Sequence, residues 1–121
     1  MEIQKTLFHC SRDGLTIRGT EYRPEGDCLP PIIVSHGFMA NQSSVRHYAK
    51  RLAQWGFAAC CFDFCGGGLL SKSDGRTTDM TIFTEQADLE AVIAHVQSLP
   101  YVDPSRLVLM GCSQGGFVSA L

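Results

Sequence analysis

Three short runs of apolar residues carry no alternation with polar ones, and they constrain the fold of this chain more than any other feature. The runs are residues 30–35, 57–64 and 106–110. The second run is broken only by Asp63 near its end, and continuous apolar runs of this length are typical of strands that are buried on both faces of a sheet. Helical patterns stand between them, and strands that alternate with helices predict a parallel sheet with right-handed crossovers.

Apolar residues recur every three or four positions in both segments between the runs, as expected of amphipathic helices. The first helix is predicted to be capped by Ser43 or Ser44. Its apolar face would consist of Val45, Tyr48, Leu52 and Trp55. The second helix is predicted over residues 82–99, with Glu85 and Asp88 near its positive end. Its apolar face would consist of Leu89, Val92, Ile93, Val96 and Leu99.

An antiparallel hairpin is expected before the first buried run. Residues 3–10 and 15–22 read as extended segments, and the Asp13-Gly14 pair between them is a strong hairpin turn signal. The predicted fold class is therefore α/β, a mostly parallel sheet with an N-terminal antiparallel hairpin and flanking helices. All of residues 1–121 would belong to one domain.

Composition and charge exclude several function classes. The chain has 121 residues, 45% of them hydrophobic, which is enough for one modest core. Its net charge of −2, without any cluster of Lys or Arg, argues against nucleic acid as a partner. The start of the chain lacks a basic region followed by an apolar run, and no segment is apolar enough to span a bilayer. We therefore expect a cytoplasmic protein without membrane contact.

Six cysteines are present, but their spacing matches no metal-binding pattern. We expect them to stay reduced in the cytoplasm. Cys60 and Cys61 are adjacent in a strand-like run, so their side chains should point to opposite faces of the sheet. Both are interpreted as small core hydrophobes.

The chemistry centres on residues 111–115, Gly-Cys-Ser-Gln-Gly, which follow the third buried run and precede a helical pattern. A G-x-S-x-G at such a junction is typical of a nucleophile elbow, in which a sharp turn lifts the serine above the sheet. Gly111 and Gly115 leave room for that turn. Ser113 is therefore the candidate nucleophile.

A second motif follows the first buried run, where this architecture takes an oxyanion donor. It consists of His36, Gly37 and Phe38, and we expect the Phe38 N–H to donate. The Gln114 N–H, from the residue after the nucleophile, would be the second donor.

These motifs, together with Phe-Asp-Phe-Cys-Gly at residues 62–66, resemble three successive motifs of the α/β-hydrolase superfamily. The resemblance is closest to the serine esterase and acyl-peptidase-like branch, which includes esterases of hydroxycinnamoyl esters. It implies hydrolysis of a small-molecule carboxylic ester through an acyl-enzyme on Ser113, with no cofactor and no metal. One departure is Cys65, where many relatives carry arginine, so that a charge at that position is missing here.

The resemblance also implies a chain order of serine, then acid, then histidine. Only six residues follow Gly115. We therefore expect the chain to be the N-terminal portion of such an enzyme, ending after the nucleophile elbow, without the later strands, the lid and the acid and histidine region. On this expectation the fragment alone would be inactive.

Upstream residues offer no convincing replacement for the missing partners. His36 matches a position that holds the oxyanion loop, and Asp63 is interpreted as bracing a turn rather than as the catalytic acid. His47 and His95 fall on the predicted helices in solvated or rim positions, and His9 falls in the hairpin.

Two alternatives stay open at this point. The first is a catalytically incomplete, hydrolase-derived chain whose two copies pair through the free edge of the 106–110 strand. The second is nucleotide binding through the segment from Gly66 to Ser73, which nearly matches a phosphate-binding loop. Against it, Ser71 stands where the second glycine is required, and no helix pattern follows directly.

Overall fold

The computed structural model describes residues 2–36, 45–65, 73–75, 82–111 and 119. Within these ranges the chain forms five strands and two α-helices. The elements, in chain order, are β1 (Ile3–Arg12), β2 (Leu15–Pro24), β3 (Pro31–Ser35), α1 (Arg46–Gln54), β4 (Ala58–Phe62), α2 (Ile82–Gln97) and β5 (Val108–Gly111). A 3₁₀ turn, Pro104–Arg106, precedes β5.

The strands form a single mixed sheet in the order β1-β2-β4-β3-β5. Strand β3 pairs in parallel with β4 on one side and with β5 on the other. Strand β2 is antiparallel to both β1 and β4. The predicted α/β class, with a parallel part preceded by an antiparallel hairpin, is confirmed.

The hairpin turn has the conformation that its sequence indicates. Asp13 and Gly14 have φ angles of 50° and 80°. Positive φ at both central residues is characteristic of the type I′ turn, whose twist matches that of the flanking strands. Asp tolerates this region and Gly adopts it freely, so the two-residue connection fixes the register of β1 against β2.

Each face of the sheet is covered by one helix. Helix α2 packs against a core cluster that contains Cys60, and α1 packs against a second cluster that contains Cys61. The two thiols lie on opposite faces of β4 and are almost fully buried, which confirms their interpretation as core residues. The five cysteines among the described residues are free.

The prediction for the apolar face of α1 is confirmed for Val45, which is buried, and for Leu52, which packs against the same cluster, but it is wrong for Tyr48 and Trp55. Ala49 and Ala53 are fully buried, whereas Tyr48 is 42% exposed and Trp55 is 69% exposed. Alanine lets the helix backbone approach the sheet closely, so the small residues rather than the large ones define the contact. The N-cap is Val45, which offers no side-chain hydrogen bond. The predicted caps Ser43 and Ser44 lie outside the described residues.

The third parallel strand is shorter and less buried than its sequence predicts. Instead of residues 106–110, β5 covers Val108–Gly111, because Asp103 caps the 3₁₀ turn ahead of it by accepting from the Ser105 N–H. Val108 is 42% exposed, since β5 is the outermost strand of the described sheet. Pairing of two copies through this edge stays a prediction.

Helix α2 ends at Gln97, two residues before the predicted Leu99, and its buried apolar face is formed by Leu89, Val92 and Val96. No helix in the described part of the chain is long and apolar enough to cross a membrane.

Gly19 in β2 lies where the strands are packed too closely for a larger side chain. A Cβ at this position would overlap the Phe8 ring and would lie 2.6 Å from the Cys61 carbonyl oxygen, which belongs to the backbone and cannot swing aside. We expect Gly19→Ala to destabilise the fold by about 1–3 kcal/mol through overpacking.

Gly14→Ala is the matched control, because Gly14 has a positive φ but no atom within 4 Å of an added Cβ. It should cost only the backbone strain of about 1 kcal/mol. Urea unfolding monitored by circular dichroism compares the two, and equal losses of free energy would contradict the packing argument.

Candidate active site at the carboxyl edge of the sheet

The three parallel strands end at one edge of the sheet, so the residues at which the predicted motifs begin lie on neighbouring strands. In the β3–β5 ladder, Ser35 lies opposite Gly111, the first glycine of the candidate elbow. His36 follows β3 directly, and Asp63 follows β4. Of the predicted site residues, the structure describes His36 and Gly111. Gly37, Phe38, Ser113, Gln114 and Gly115 lie outside the described residues.

His36 is fully buried and connects the end of β3 to the residues that follow β4. Its Nε2 accepts a hydrogen bond from the Phe64 N–H at 3.0 Å, and its ring packs edge-on against the Phe64 ring with centroids 4.9 Å apart. A general base needs a free lone pair in reach of the proton it takes. Because the Nε2 lone pair is engaged by the backbone, the geometry favours a bracing role for His36.

Asp63 is also fully buried, and its backbone is held on both sides. Its N–H donates to the Arg18 carbonyl at 3.1 Å, and its carbonyl accepts from the Ser73 hydroxyl at 2.5 Å. The same hydroxyl accepts from the Arg18 N–H at 2.8 Å. One serine side chain thus joins the end of β4, the strand β2 and residues 73–75.

Asp74 makes further contacts with β2, beyond the point where β4 ends. We call the contacts of Ser73 and Asp74 with β2 the Asp74 clamp. Its N–H donates to the Thr16 carbonyl at 2.9 Å, and its carboxylate accepts from the Thr16 N–H at 3.1 Å. Arg18 Nη1 donates to the other carboxylate oxygen at 2.9 Å. Residues 73–74 therefore satisfy β2 backbone groups that β4 does not reach.

The clamp bears on the nucleotide-binding alternative. In a phosphate-binding loop the final Ser or Thr hydroxyl coordinates Mg²⁺ at the start of a helix. Here Ser73 is buried with its hydroxyl engaged by backbone groups, and residues 73–75 form a bend. Residues 66–72 lie outside the described part of the chain. The contacts of Ser73 give this alternative no support.

Asp88 is the site feature that sequence reasoning missed. It was placed near the positive end of its helix, but it lies on the buried face of α2 and is 0% exposed. One carboxylate oxygen accepts from Arg12 Nε at 2.7 Å and the other from the Cys65 N–H at 2.8 Å. Burial raises its pKa, while Arg12 opposes that shift. The sequence does contain a signal for this burial, since Asp88 stands four and eight positions before Val92 and Val96, which lie on the apolar face.

The remaining histidines among the described residues play no part in this arrangement. His9 and His47 are exposed, and His95 is half-buried, stacked on the Phe8 ring with centroids 5.0 Å apart. The solvated or rim positions expected for His47 and His95 are confirmed.

Comparison with known proteins identifies the family. The family described as serine aminopeptidase, S33, matches residues 30–121. The chain belongs to this α/β-hydrolase family.

Two curated proteins illustrate the relationship within the family. The quorum-quenching protein AidA of Acinetobacter baumannii is 33% identical over 98 residues, which cover 78% of this chain and 31% of AidA. The uncharacterised protein YcjY of Escherichia coli is 32% identical over 90 residues, which cover 73% of this chain and 29% of YcjY.

Two solved structures match nearly the whole chain in fold. DcsB, in complex with its substrate analogue, matches with a TM-score of 0.87 and 31% identity over 97% of this chain. Est1E from Butyrivibrio proteoclasticus, with ferulic acid bound, matches with a TM-score of 0.82 and 26% identity over 92% of it. The chain covers 40% of DcsB and 44% of Est1E, and about a third of the curated relatives.

The thiols near this edge are predicted to be unreactive. Burial and the neighbouring Asp88 charge raise the pKa of Cys65 to about 12, and burial raises the pKa of Cys61 to about 11. Since the thiolate is the reactive form, iodoacetamide at pH 8 should leave both unmodified. Peptide mass mapping checks this, with the exposed Cys28 as the internal positive control. Alkylation of Cys65 in the folded protein would contradict the described burial.

The Asp74 clamp is predicted to be sensitive to acid. The Arg18 and Thr16 hydrogen bonds hold the pKa of Asp74 below its ordinary value of 3.8. A carboxylate whose pKa is lower in the folded state stabilises the fold above its unfolded pKa, and that contribution is lost as pH falls through the folded value. Asp74→Asn should therefore lower the Tm at pH 7, and the difference should shrink towards pH 3.

The measurement is the Tm of Asp74→Asn and of the wild type at pH 7 and at pH 3. Asp27→Asn, at an exposed position, is the matched carboxylate control. A Tm difference that stays constant between the two pH values would rule out the ionised clamp.

Proposed function

We propose that this chain supplies the nucleophile and the oxyanion donors of a serine hydrolase that cleaves carboxylic esters. The observation that carries the proposal is the pairing of Ser35 with Gly111 at the carboxyl edge of the sheet. It sets the starting points of the two motif segments next to each other on adjacent strands, about 4.8 Å apart.

Covalent geometry supports convergence of the two segments on one substrate atom. Consecutive Cα atoms are about 3.8 Å apart, so Ser113 lies within about 8 Å of Gly111. The same limit applies to Phe38 relative to His36, whose buried position is fixed by Phe64. The second donor, Gln114, is three residues from Gly111, so chain connectivity limits it to about 11 Å from Gly111, and these limits allow both N–H groups to approach a single carbonyl oxygen.

In the proposed reaction, the Ser113 hydroxyl gives its proton to a general base while Oγ attacks the ester carbonyl carbon, which becomes tetrahedral and leaves a negative charge on the carbonyl oxygen. The N–H groups of Phe38 and Gln114 stabilise that charge, and each such donor contributes on the order of a hundredfold in rate. The C–O bond to the alcohol then breaks with protonation of the leaving oxygen. Water attacks the acyl-enzyme, releases the acid and restores the serine.

The proton transfers require a general base that we assign to no described residue. His36 has its Nε2 lone pair engaged by Phe64, and His9, His47 and His95 are exposed or half-buried elsewhere on the described structure. The family resemblance implies that the acid and the histidine follow the serine in the chain order. The proposal therefore assigns them to polypeptide beyond Leu121, and it makes the 121-residue chain inactive alone.

The ligand of one structural neighbour supports the choice of a first substrate class. The solved structure of Est1E holds ferulic acid, an aromatic carboxylic acid. We propose carboxylic esters with an aryl or short acyl group as the first class to test, and p-nitrophenyl acetate and methyl ferulate as the assay compounds.

The decisive variant is Ser113→Ala, made in the full-length gene product that contains this chain. Ester hydrolysis should fall by on the order of 10⁶ in kcat, as for other serine nucleophiles, and labelling by a fluorophosphonate should disappear. Ser11→Ala, at an exposed position of β1, is the matched control and should leave both unchanged.

The 121-residue chain is assayed in parallel. Hydrolysis by the full-length product but not by the shorter chain is the expected result. If the full-length product neither hydrolyses the esters nor reacts with the fluorophosphonate, the proposal is wrong.

A further inference from the structure

A continuous set of buried contacts joins helix α2 to His36, the residue that follows β3. Asp88 accepts from the Cys65 N–H at 2.8 Å, and the preceding N–H, that of Phe64, donates to His36 Nε2 at 3.0 Å. Two successive backbone N–H groups after β4 are thus held by side chains from two different parts of the chain. We call Asp88, Phe64, Cys65 and His36 the edge bridge.

The orientation of Asp88 within the bridge is fixed by its second oxygen. Arg12 Nε donates to that oxygen at 2.7 Å, and the side chains of Arg12 and Asp88 are 15% and 0% exposed. Hydrogen bonds between ionised groups are stronger than neutral ones, and burial keeps water from competing. Each carboxylate oxygen therefore accepts from a different group, Arg12 Nε or the Cys65 N–H.

We propose that Asp88 is a positioning residue for catalysis. It fixes the backbone at Phe64 and Cys65, through them the His36 imidazole, and hence the start of the segment that carries the Phe38 oxyanion donor. The inference rests on the proposed serine hydrolase function, and adds to it a residue on α2 that touches no substrate.

The placement of Asp88 explains why its effect reaches catalysis as well as stability. The apolar packing of α2 is provided by Leu89, Val92 and Val96, which lie on the same face. Asp88 adds to this a hold on one backbone N–H at the carboxyl edge and on one guanidinium. Displacement of a catalytic group by about 1 Å costs on the order of a hundredfold in rate. Loss of the Asp88 hydrogen bonds should therefore lower the reaction rate.

The test is Asp88→Asn in the full-length gene product. Asparagine has nearly the same shape, but it has a single accepting oxygen and no charge, so only one of the two contacts survives. We expect kcat for p-nitrophenyl acetate to fall about tenfold or more, with KM within about twofold, because an oxyanion contact is made only in the transition state. The rate of fluorophosphonate labelling should fall by a similar factor.

The control is Asp103→Asn. Like Asp88, Asp103 binds an arginine, accepting from Arg106 Nε at 3.0 Å, and it also caps the 3₁₀ turn. Its N–H donates to the Leu29 carbonyl, which lies before the start of β3 and therefore at the end of the strand opposite to the candidate site. It should leave kcat unchanged. Both variants are assayed at a temperature where circular dichroism shows each to be folded.

Arg12→Gln provides a second variant at a more exposed position, in case Asp88→Asn does not fold. It removes the same guanidinium contact, and should lower kcat in the same direction with KM unchanged. In the double variant the two losses should be less than additive, since both act through one contact. Additive losses, or an unchanged kcat in folded Asp88→Asn and Arg12→Gln, would overturn the inference.

Ser113→Ala separates this inference from the proposed function. If Ser113→Ala retains activity, the proposed function fails, whatever Asp88 does. If Ser113→Ala is inactive while the Asp88 and Arg12 variants keep the wild-type kcat, only the positioning role fails.

Discussion

Parallel pairing of β3 with both of its neighbours is the constraint on which the rest of the structure depends. Strand β3 is buried along its whole length, with β4 on one side and β5 on the other. Parallel strands end at the same edge, so the segments that follow all three begin side by side there. The ladder makes neighbours of His36, Asp63 and Gly111, which are far apart in sequence. The contacts among these segments then refine an arrangement that the sheet has already imposed.

Local properties of the sequence were sufficient for much of this architecture. Continuous apolar runs predicted the parallel strands, and the Asp13-Gly14 pair predicted the hairpin and its turn, because in each case a short segment carries the whole physical signal. The same holds for Cys60 and Cys61, whose opposite orientations follow from the alternation of side chains along a strand. At the candidate site, the two motif segments were predicted to approach each other, and the Ser35–Gly111 pairing shows that the strands leading to them do.

Other features depend on contacts between distant segments, and the sequence pattern misplaced them. The large residues of α1 suggested a face containing Tyr48 and Trp55, yet close approach to the sheet selects Ala49 and Ala53. Hydrophobicity alone does not reveal that choice, because it ranks alanine below tryptophan. The sequence likewise suggests only that Asp88 lies near the positive end of its helix, because the sequence does not show its contacts with distant residues. Its burial is favourable only because Arg12, 76 positions earlier, and the Cys65 backbone supply donors to it.

Strand β1 shows how such a contact shapes an element. The apolar pattern predicted the strand to stop at residue 10, but it continues to Arg12. The two additional residues carry the guanidinium to Asp88, beside the turn at Cys65. The family resemblance predicts that a charge carried by many relatives is missing at position 65. Arg12 brings a positive charge to the same turn from β1. This charge lowers the pKa of the Cys65 thiol, whereas burial raises it. The hairpin thus contributes to the candidate site as well as to the edge of the sheet, because the register set at its turn determines where Arg12 lies.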